Sequence, residues 1–122
     1  TLFRSEQALR LDPNYAPAHD ALGRALATTG RLSEAIAQFE QALKINPAVP
    51  EVHGDLGMAL VMAGRVQDGI AQFEEALRLD PNLAQVHLDL ALTLENIGRP
   101  AEAAPHFEAA RRLGLTIPPP RN

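Results

Sequence analysis

The stretch Pro50–Leu83, PEVHGDLGMALVMAGRVQDGIAQFEEALRLDPNL, decides the fold of this chain because its pattern occurs three times. The same residue types return every 34 residues, in Ala16–Val49 before it and in Ala84–Ile117 after it. The shared positions include His19, His53 and His87; Leu22, Leu56 and Leu90; Gly30, Gly64 and Gly98; and Phe39, Phe73 and Phe107. A fixed period of this length indicates a solenoid of repeated supersecondary units.

Each unit is predicted to form two amphipathic helices separated by a glycine. In the middle unit, apolar residues recur at three- and four-residue steps on both sides of Gly64, as in Val52, Leu56 and Leu60 before it and Val66, Ile70, Phe73 and Leu77 after it. We expect Gly64 to adopt the left-handed conformation that ends a helix. Pro81 is expected to end the second helix, because the residue before a proline disfavours helical geometry.

The small and large positions of the middle unit resemble the tetratricopeptide repeat family. That family's pattern is a large residue, Leu-Gly, a second large residue, Ala, an aromatic residue and a closing Pro. The corresponding residues are His53, Leu56, Gly57, Leu60, Gly69, Phe73, Ala76 and Pro81. The resemblance implies an all-α fold, a right-handed α-solenoid of antiparallel helix pairs with about three and a half units. The third unit departs from the pattern, because Leu115 stands where a proline is expected.

The register also predicts how the chain is divided. Residues 16–49, 50–83 and 84–117 are interpreted as three units, and residues 118–122 as a Pro-rich tail. Residues 6–15 match the second helix of a truncated repeat, because Glu6-Gln7-Ala8-Leu9 is the same tetrapeptide as Glu40-Gln41-Ala42-Leu43. Residues 1–5, TLFRS, break the register and match what a common sequencing-library adaptor would encode. We therefore interpret them as a non-native N-terminal extension.

Composition excludes several classes of function. The chain has 46% hydrophobic but only 4% aromatic residues, which suits a thin helical stack. A net charge of -4 with dispersed Lys and Arg predicts no nucleic-acid binding. No apolar run approaches the roughly 18 residues of a membrane helix, so no membrane insertion is expected. The absence of cysteine excludes disulfides and thiolate metal sites.

No catalytic, cofactor or metal site is predicted. The histidines His19, His53 and His87 belong to separate helices, whose axes pack about 8–10 Å apart, whereas two donors on one zinc ion must lie within about 4 Å of each other. We expect these histidines to pack between helices and His106 to lie on the surface. Because no nucleophile or phosphate-binding loop accompanies the aspartates, the chain is predicted not to be an enzyme.

The remaining function is binding. In solenoids of the family that this chain resembles, the first helices of successive pairs line a concave surface. The residues expected to face it, as a peptide-binding groove, are Asp20, Arg24, Ala27, Thr28, Glu51, Gly54, Asp55, Met58, Val61, Met62, Gln85, Leu88, Asp89, Leu92, Glu95 and Asn96. The apolar members predict either padding between first helices or a site for a peptide. The acidic members favour a basic partner.

Three functions stay open from sequence alone. The first is a protein- or peptide-binding scaffold, and the second is a substrate-recruiting arm of a larger enzyme such as a glycosyltransferase. The third is end-to-end self-association, because neither terminal repeat has an evident polar cap, although Leu115 and Ile117 are alternatively expected to fold back as a lid. Chaperone-binding members of the family grip a terminal carboxylate with Lys, Asn and Arg. Carboxylates at Asp20, Asp55 and Asp89 predict no affinity for such an acidic tail.

Overall fold

The computed structural model describes residues 2–118, which form seven α-helices and no strand. The helices are α1 (Leu2–Leu11), α2 (Ala16–Thr28), α3 (Leu32–Ile45), α4 (Pro50–Met62), α5 (Val66–Leu79), α6 (Ala84–Asn96) and α7 (Pro100–Arg112). Each of α2, α4 and α6 pairs with the helix that follows it, and successive pairs contact one another. The predicted all-α repeat fold is confirmed. Thr1 of the predicted extension and residues 119–122 of the predicted tail lie outside the described residues.

A glycine with a positive φ ends the first helix of each pair. The φ angles of Gly30, Gly64 and Gly98 are 80°, 86° and 80°. Just after Gly64, the backbone amide of Arg65 donates to the carbonyl oxygen of Leu60 at 2.8 Å. This bond satisfies a carbonyl group that the helix end would otherwise leave without a partner. The predicted left-handed helix ends are confirmed.

Within a pair, a glycine of the first helix lies against the phenylalanine ring of the second. A Cβ atom added at Gly57 would lie 2.7 Å from Cδ1 of Phe73 and 3.0 Å from the carbonyl oxygen of Gly69. A Cβ atom at Gly23 would lie 2.6 Å from Cε1 of Phe39. Both rings are almost completely excluded from solvent. The helices therefore approach so closely that only a residue without a side chain fits at these positions.

The hydrophobic core runs from pair to pair along the stack. One cluster joins α2, α3 and α4, and a second joins α5, α6 and α7. The largest fully buried side chains in these clusters are Phe39, Phe73 and Leu90. Each pair thus buries its apolar face against its neighbour, as the units of a solenoid must do to be stable.

The last helix ends at a glycine instead of the proline that closes the other units. Gly114 has a φ of 107°, and the backbone amide of Leu115 donates to the carbonyl oxygen of Ala110 at 3.0 Å. These two features form a left-handed helix end of the kind found at Gly64. They account for the departure at Leu115, because the helix stops before a proline would be needed.

The first helix is continuous across the predicted junction at residue 5. It runs without a break from Leu2 to Leu11, and Ser5 is buried at the position equivalent to Phe39. A serine fits the place of the aromatic residue because no preceding helix packs onto α1 among the described residues. The non-native origin of residues 1–5 stays a prediction.

We predict that Gly57→Ala lowers the free energy of unfolding. Overpacking a buried contact costs roughly 1–3 kcal/mol, whereas replacing a helical glycine by alanine stabilises by only about 1 kcal/mol. Urea unfolding followed by circular dichroism measures the net loss. Phe73→Leu removes part of the ring that the new methyl group meets, so the double variant should lose less stability than the two single changes together. Strictly additive losses would contradict the proposed contact.

Candidate functional site

The first helices of the three pairs, α2, α4 and α6, each expose residues along one face. On α4 the exposed or half-buried residues on this face are Glu51, Asp55, Met58 and Met62. Steps of four, three and four residues follow one face of a helix. The same steps on α2 and α6 give the rest of the face, and α4 contacts both of these helices. We call this face the first-helix surface; its members are Pro17, Ala21, Arg24, Thr28, Glu51, Asp55, Met58, Met62, Gln85, Asp89, Leu92 and Asn96.

The apolar residues predicted to line the groove lie in different environments. Met62 is 56% exposed and Leu92 is 43% exposed. Met58 and Val61 instead pack against the second core cluster. A methyl group of Val61 lies 2.6 Å from where a Cβ atom of Gly69 would be, so Val61 contacts α5. Met62 therefore forms the apolar part of the first-helix surface that remains open to a partner, and Leu92 extends it to the edge of the end cavity described below.

The other predicted groove residues divide in the same way. Gly54 is buried, and a Cβ atom there would lie 2.9 Å from a methyl group of Val86 on α6. Ala27 packs against the first core cluster, and Leu88 is half-buried. Glu95 is exposed at the far end of α6, where it lines an end cavity described below. These four residues lie outside the first-helix surface.

An acidic pair joins the first two pairs of helices. The guanidinium Nε of Arg24 lies 3.5 Å from a carboxylate oxygen of Asp20 and 4.0 Å from one of Asp55. Burial, together with the hydrogen bond and the negative charge of Asp20, raises the pKa of Asp55 to about 7, against the opposing charge of Arg24. The other carboxylate oxygen of Asp20 is buried with no donor assigned to it. The hydrogen bond to Asp20 raises the pKa of Asp55 because the protonated form of Asp55 is the one that donates to the Asp20 carboxylate.

The equivalent aspartate on α6 lies in a different environment. The side-chain amide of Gln85 donates to a carboxylate oxygen of Asp89 at 3.0 Å. Burial raises the pKa of Asp89, whereas the hydrogen bond from Gln85 opposes that rise. Asp55 and Asp89 are therefore partly buried carboxylates whose ionisation a cationic partner would favour.

The histidines tie three segments of each unit together. Nε2 of His53 lies 2.8 Å from the carbonyl oxygen of Pro47, and Nδ1 lies 2.7 Å from the side-chain amide of Gln72. His19 makes the same two contacts in the first unit. Both rings are buried, as expected. Each histidine thus joins the loop before the first helix to the second helix of its own unit.

The expectation for His106 was wrong. Its Nδ1 lies 3.0 Å from Nδ1 of His87, and the side chain is half-buried. The 34-residue period contained the signal for this contact, because His106 is in register with Gln38 and Gln72. In the third unit a histidine therefore takes the place of the glutamine that contacts the buried histidine elsewhere.

The end of the stack carries an open cavity of about 890 Å³. It is lined by Leu92, Glu95, Pro100, Ala104, Pro105, Phe107, Glu108, Arg111, Ile117 and Pro118. The guanidinium group of Arg111 donates to the carbonyl oxygens of Ile117 and Pro118 at 3.5 and 3.1 Å. These bonds hold the segment after α7 back against the helix, as the predicted lid requires.

Among residues 2–118, no helix has the length and hydropathy needed to cross a membrane.

Comparisons with known proteins agree with this architecture. A family model described as a tetratricopeptide repeat matches residues 55–114, and one described as a TPR repeat matches residues 23–64. A crystal structure of MamA superposes with a TM-score of 0.84 at 21% identity, covering 92% of this chain and 66% of that one. MamA AMB-1 gives a TM-score of 0.77 at 31% identity, with 92% of this chain and 66% of that one covered. An arginine-to-glutamate mutant of MamA gives 0.76 at 30% identity, with 94% and 84% covered. No curated protein matches this chain.

The chain spans 63–66% of the length of the first three MamA structures that it matches. At 21% identity the first comparison shows the fold alone. The activity and partners of a whole protein of this kind therefore do not follow from the comparison.

We predict that Asp55→Asn stabilises the protein at pH 8 and that this gain shrinks at pH 5. The fold raises the pKa of Asp55 to about 7, above roughly 3.9 in an unfolded chain. Between about pH 3.9 and pH 7 the folded protein therefore binds one proton more than the unfolded chain. The contribution of Asp55 to stability falls as the pH rises through this range and is lost above about pH 7. Thermal unfolding of both proteins at both pH values measures the difference, in which the shared histidines largely cancel. An equal difference at the two pH values would disprove the raised pKa.

Proposed function

Because the chain belongs to the tetratricopeptide repeat family, we propose that it is a non-catalytic interaction module that binds a peptide segment of another protein on its first-helix surface. The observation that carries the proposal is the exposure of Met62 and Leu92 on neighbouring first helices. Neither side chain belongs to the core clusters of the described residues. Exposed apolar groups rimmed by polar residues are typical of partner sites.

The apolar contacts set the size of partner that this surface suits. Asn96 follows Leu92 by four residues along α6, and Glu51 begins the same face of α4, so polar groups border the apolar part at both ends. Burying one large apolar side chain under a partner stabilises by roughly 1.5–3 kcal/mol. Two half-exposed side chains therefore support a short peptide segment with one or two apolar anchors. Met62 adapts to anchors of different shape because its side chain is unbranched.

The charges of the surface favour a basic partner. Glu51, Asp55 and Asp89 contribute carboxyl groups, whereas the cationic member, Arg24, already lies between Asp20 and Asp55. A lysine or arginine of the partner would find unsatisfied negative potential there, and an acidic terminal segment would be repelled. Binding is also expected to depend on pH, because the pKa of Asp55 is about 7 and a cation that binds beside it favours loss of its proton.

We predict that Met62→Glu weakens binding of a basic peptide selected from a random displayed library by more than about 1 kcal/mol, roughly fivefold. Calorimetry measures the affinity. Met62→Gln should also weaken it, which separates lost apolar contact from added charge. Ala71→Glu is the matched control, because it adds the same charge at an exposed position of α5 away from this surface. Unchanged affinity in both Met62 variants would reject the first-helix surface as the site, and micromolar affinity for an acidic C-terminal tail would reject the charge argument.

Self-association through the ends of the stack is the second candidate. The end cavity beside α7 favours it, as does Leu11, which is 86% exposed at the opposite end. The bonds from Arg111 to the segment after α7 oppose it, because that segment covers part of the cavity. No observation within residues 2–118 favours the arm of a glycosyltransferase over a free-standing scaffold.

We therefore expect the protein to remain monomeric as its concentration rises, because its own chain covers part of the end cavity. Light scattering over a wide range of concentration measures the mass. A mass that grows with concentration, and that Leu11→Lys returns to the monomer value, would instead establish stacking through the ends.

A further inference from the structure

The third unit differs from the other two at one contact that has a chemical consequence. In the first two units a buried histidine contacts a glutamine amide, through His19 with Gln38 and His53 with Gln72. In the third unit His87 contacts His106, with the two Nδ1 atoms 3.0 Å apart and the ring centroids 5.3 Å apart. An amide is a poor ligand for transition metals, whereas neutral imidazole is a preferred one. The substitution therefore places two metal-binding groups where the other units have one.

The contacts of His87 determine where its proton lies. Nε2 of His87 is 2.8 Å from the carbonyl oxygen of Pro81. Because a carbonyl oxygen can only accept, Nε2 carries the hydrogen, and Nδ1 of the neutral ring presents a lone pair. Nδ1 of His106 must then donate to it. One proton thus lies between the two nitrogen atoms, and a metal ion that binds both of them displaces this proton to Nε2 of His106.

We propose that His87 and His106 bind one divalent transition-metal ion through their Nδ1 atoms. Metal–nitrogen bonds of about 2.0–2.1 Å place two cis imidazole nitrogens roughly 2.9 Å apart at a right angle and roughly 3.3 Å apart at a tetrahedral angle. The observed separation of 3.0 Å lies in this range. Imidazole ligands suit Ni²⁺, Cu²⁺ and Zn²⁺.

The surroundings favour a cation at this place. Both imidazoles are half-buried, so solvent reaches them without unfolding. Burial and the neighbouring His87 lower the pKa of His106. The carboxylate of Glu74 raises that pKa, in the opposite direction.

Binding requires one side chain to move. His87 is fixed at Nε2 by the carbonyl oxygen of Pro81, so the ion lies on its free lone pair. His106, on α7, turns so that the Nδ1 lone pair left when its proton moves to Nε2 points to the ion instead of the N–H pointing to His87. The described residues contain no group of three or more histidines and carboxylates that could hold a metal ion. Water therefore completes the coordination, and the affinity is that of a two-histidine site.

Calorimetric titration of the tag-free protein with NiCl₂ tests the proposal. We expect one ion per chain, with Zn²⁺ binding more weakly. His106→Gln should lower the affinity at least about tenfold, because it removes one of two ligands. This variant restores the glutamine that the other two units carry, so it should fold normally. A wild-type protein that binds no Ni²⁺, or one that binds it as well after His106→Gln, would overturn the proposal.

The second unit supplies a constructive control. Gln72→His places a second histidine 34 residues before His106, opposite His53. If the paired-imidazole geometry creates the site, this variant should bind two Ni²⁺ ions per chain. Circular dichroism before titration verifies that each variant is folded. If the folded Gln72→His protein still binds only one ion, a pair of imidazoles in this geometry is not sufficient for binding. That result would contradict the assignment of the site to His87 and His106.

Discussion

The close approach of a helix backbone to a phenylalanine ring is the contact on which the structure depends. Gly57 receives the ring of Phe73, and Gly23 receives that of Phe39, at distances that leave no room for a Cβ atom. This contact sets how near the two helices lie in the first two pairs, and in the third pair the equivalent residues are the buried Ala91 and the half-buried Phe107. The apolar face left on each pair must then be covered by the next pair, so the same local contact produces both the hairpin and the stack.

Much of the fold could be predicted from sequence because its constraints are local and repeated. The left-handed glycines and the interlocking of Gly57 with Phe73 require particular residue types, which recur at a readable period. The candidate site was harder to predict because it depends on small differences of angle around a helix. Val61 immediately precedes Met62, yet it contacts α5 while Met62 faces solvent. Periodicity identifies a face but does not decide which residue at its edge is covered.

Two contacts depart from what the repeat register alone indicates, each for its own physical reason. Asp20 raises the pKa of Asp55 although Asp20 is in register with Gly54 and not with Asp55. Contact between neighbouring helices follows their relative offset and not the alignment of the repeats. His106 contacts His87 instead of lying on the surface, because its equivalents in the repeat are Gln38 and Gln72 and not the three histidines that share a register. A repeat alignment therefore predicts contacts within a unit well and contacts between units poorly.

Some positions of the repeat stabilise the fold while others vary between units, so a unit can gain a new binding group without losing stability. The contact from His87 to the carbonyl oxygen of Pro81 is the same in kind as that of His53 to Pro47, so the structural tie survives in the third unit. The partner across the pair is free to vary as long as it hydrogen-bonds to Nδ1, and both glutamine and histidine do so. The first-helix surface follows the same logic, because Arg24, Met58 and Leu92 are equivalent residues of very different character. Variation at positions that the fold does not constrain is therefore where differences in binding between units arise.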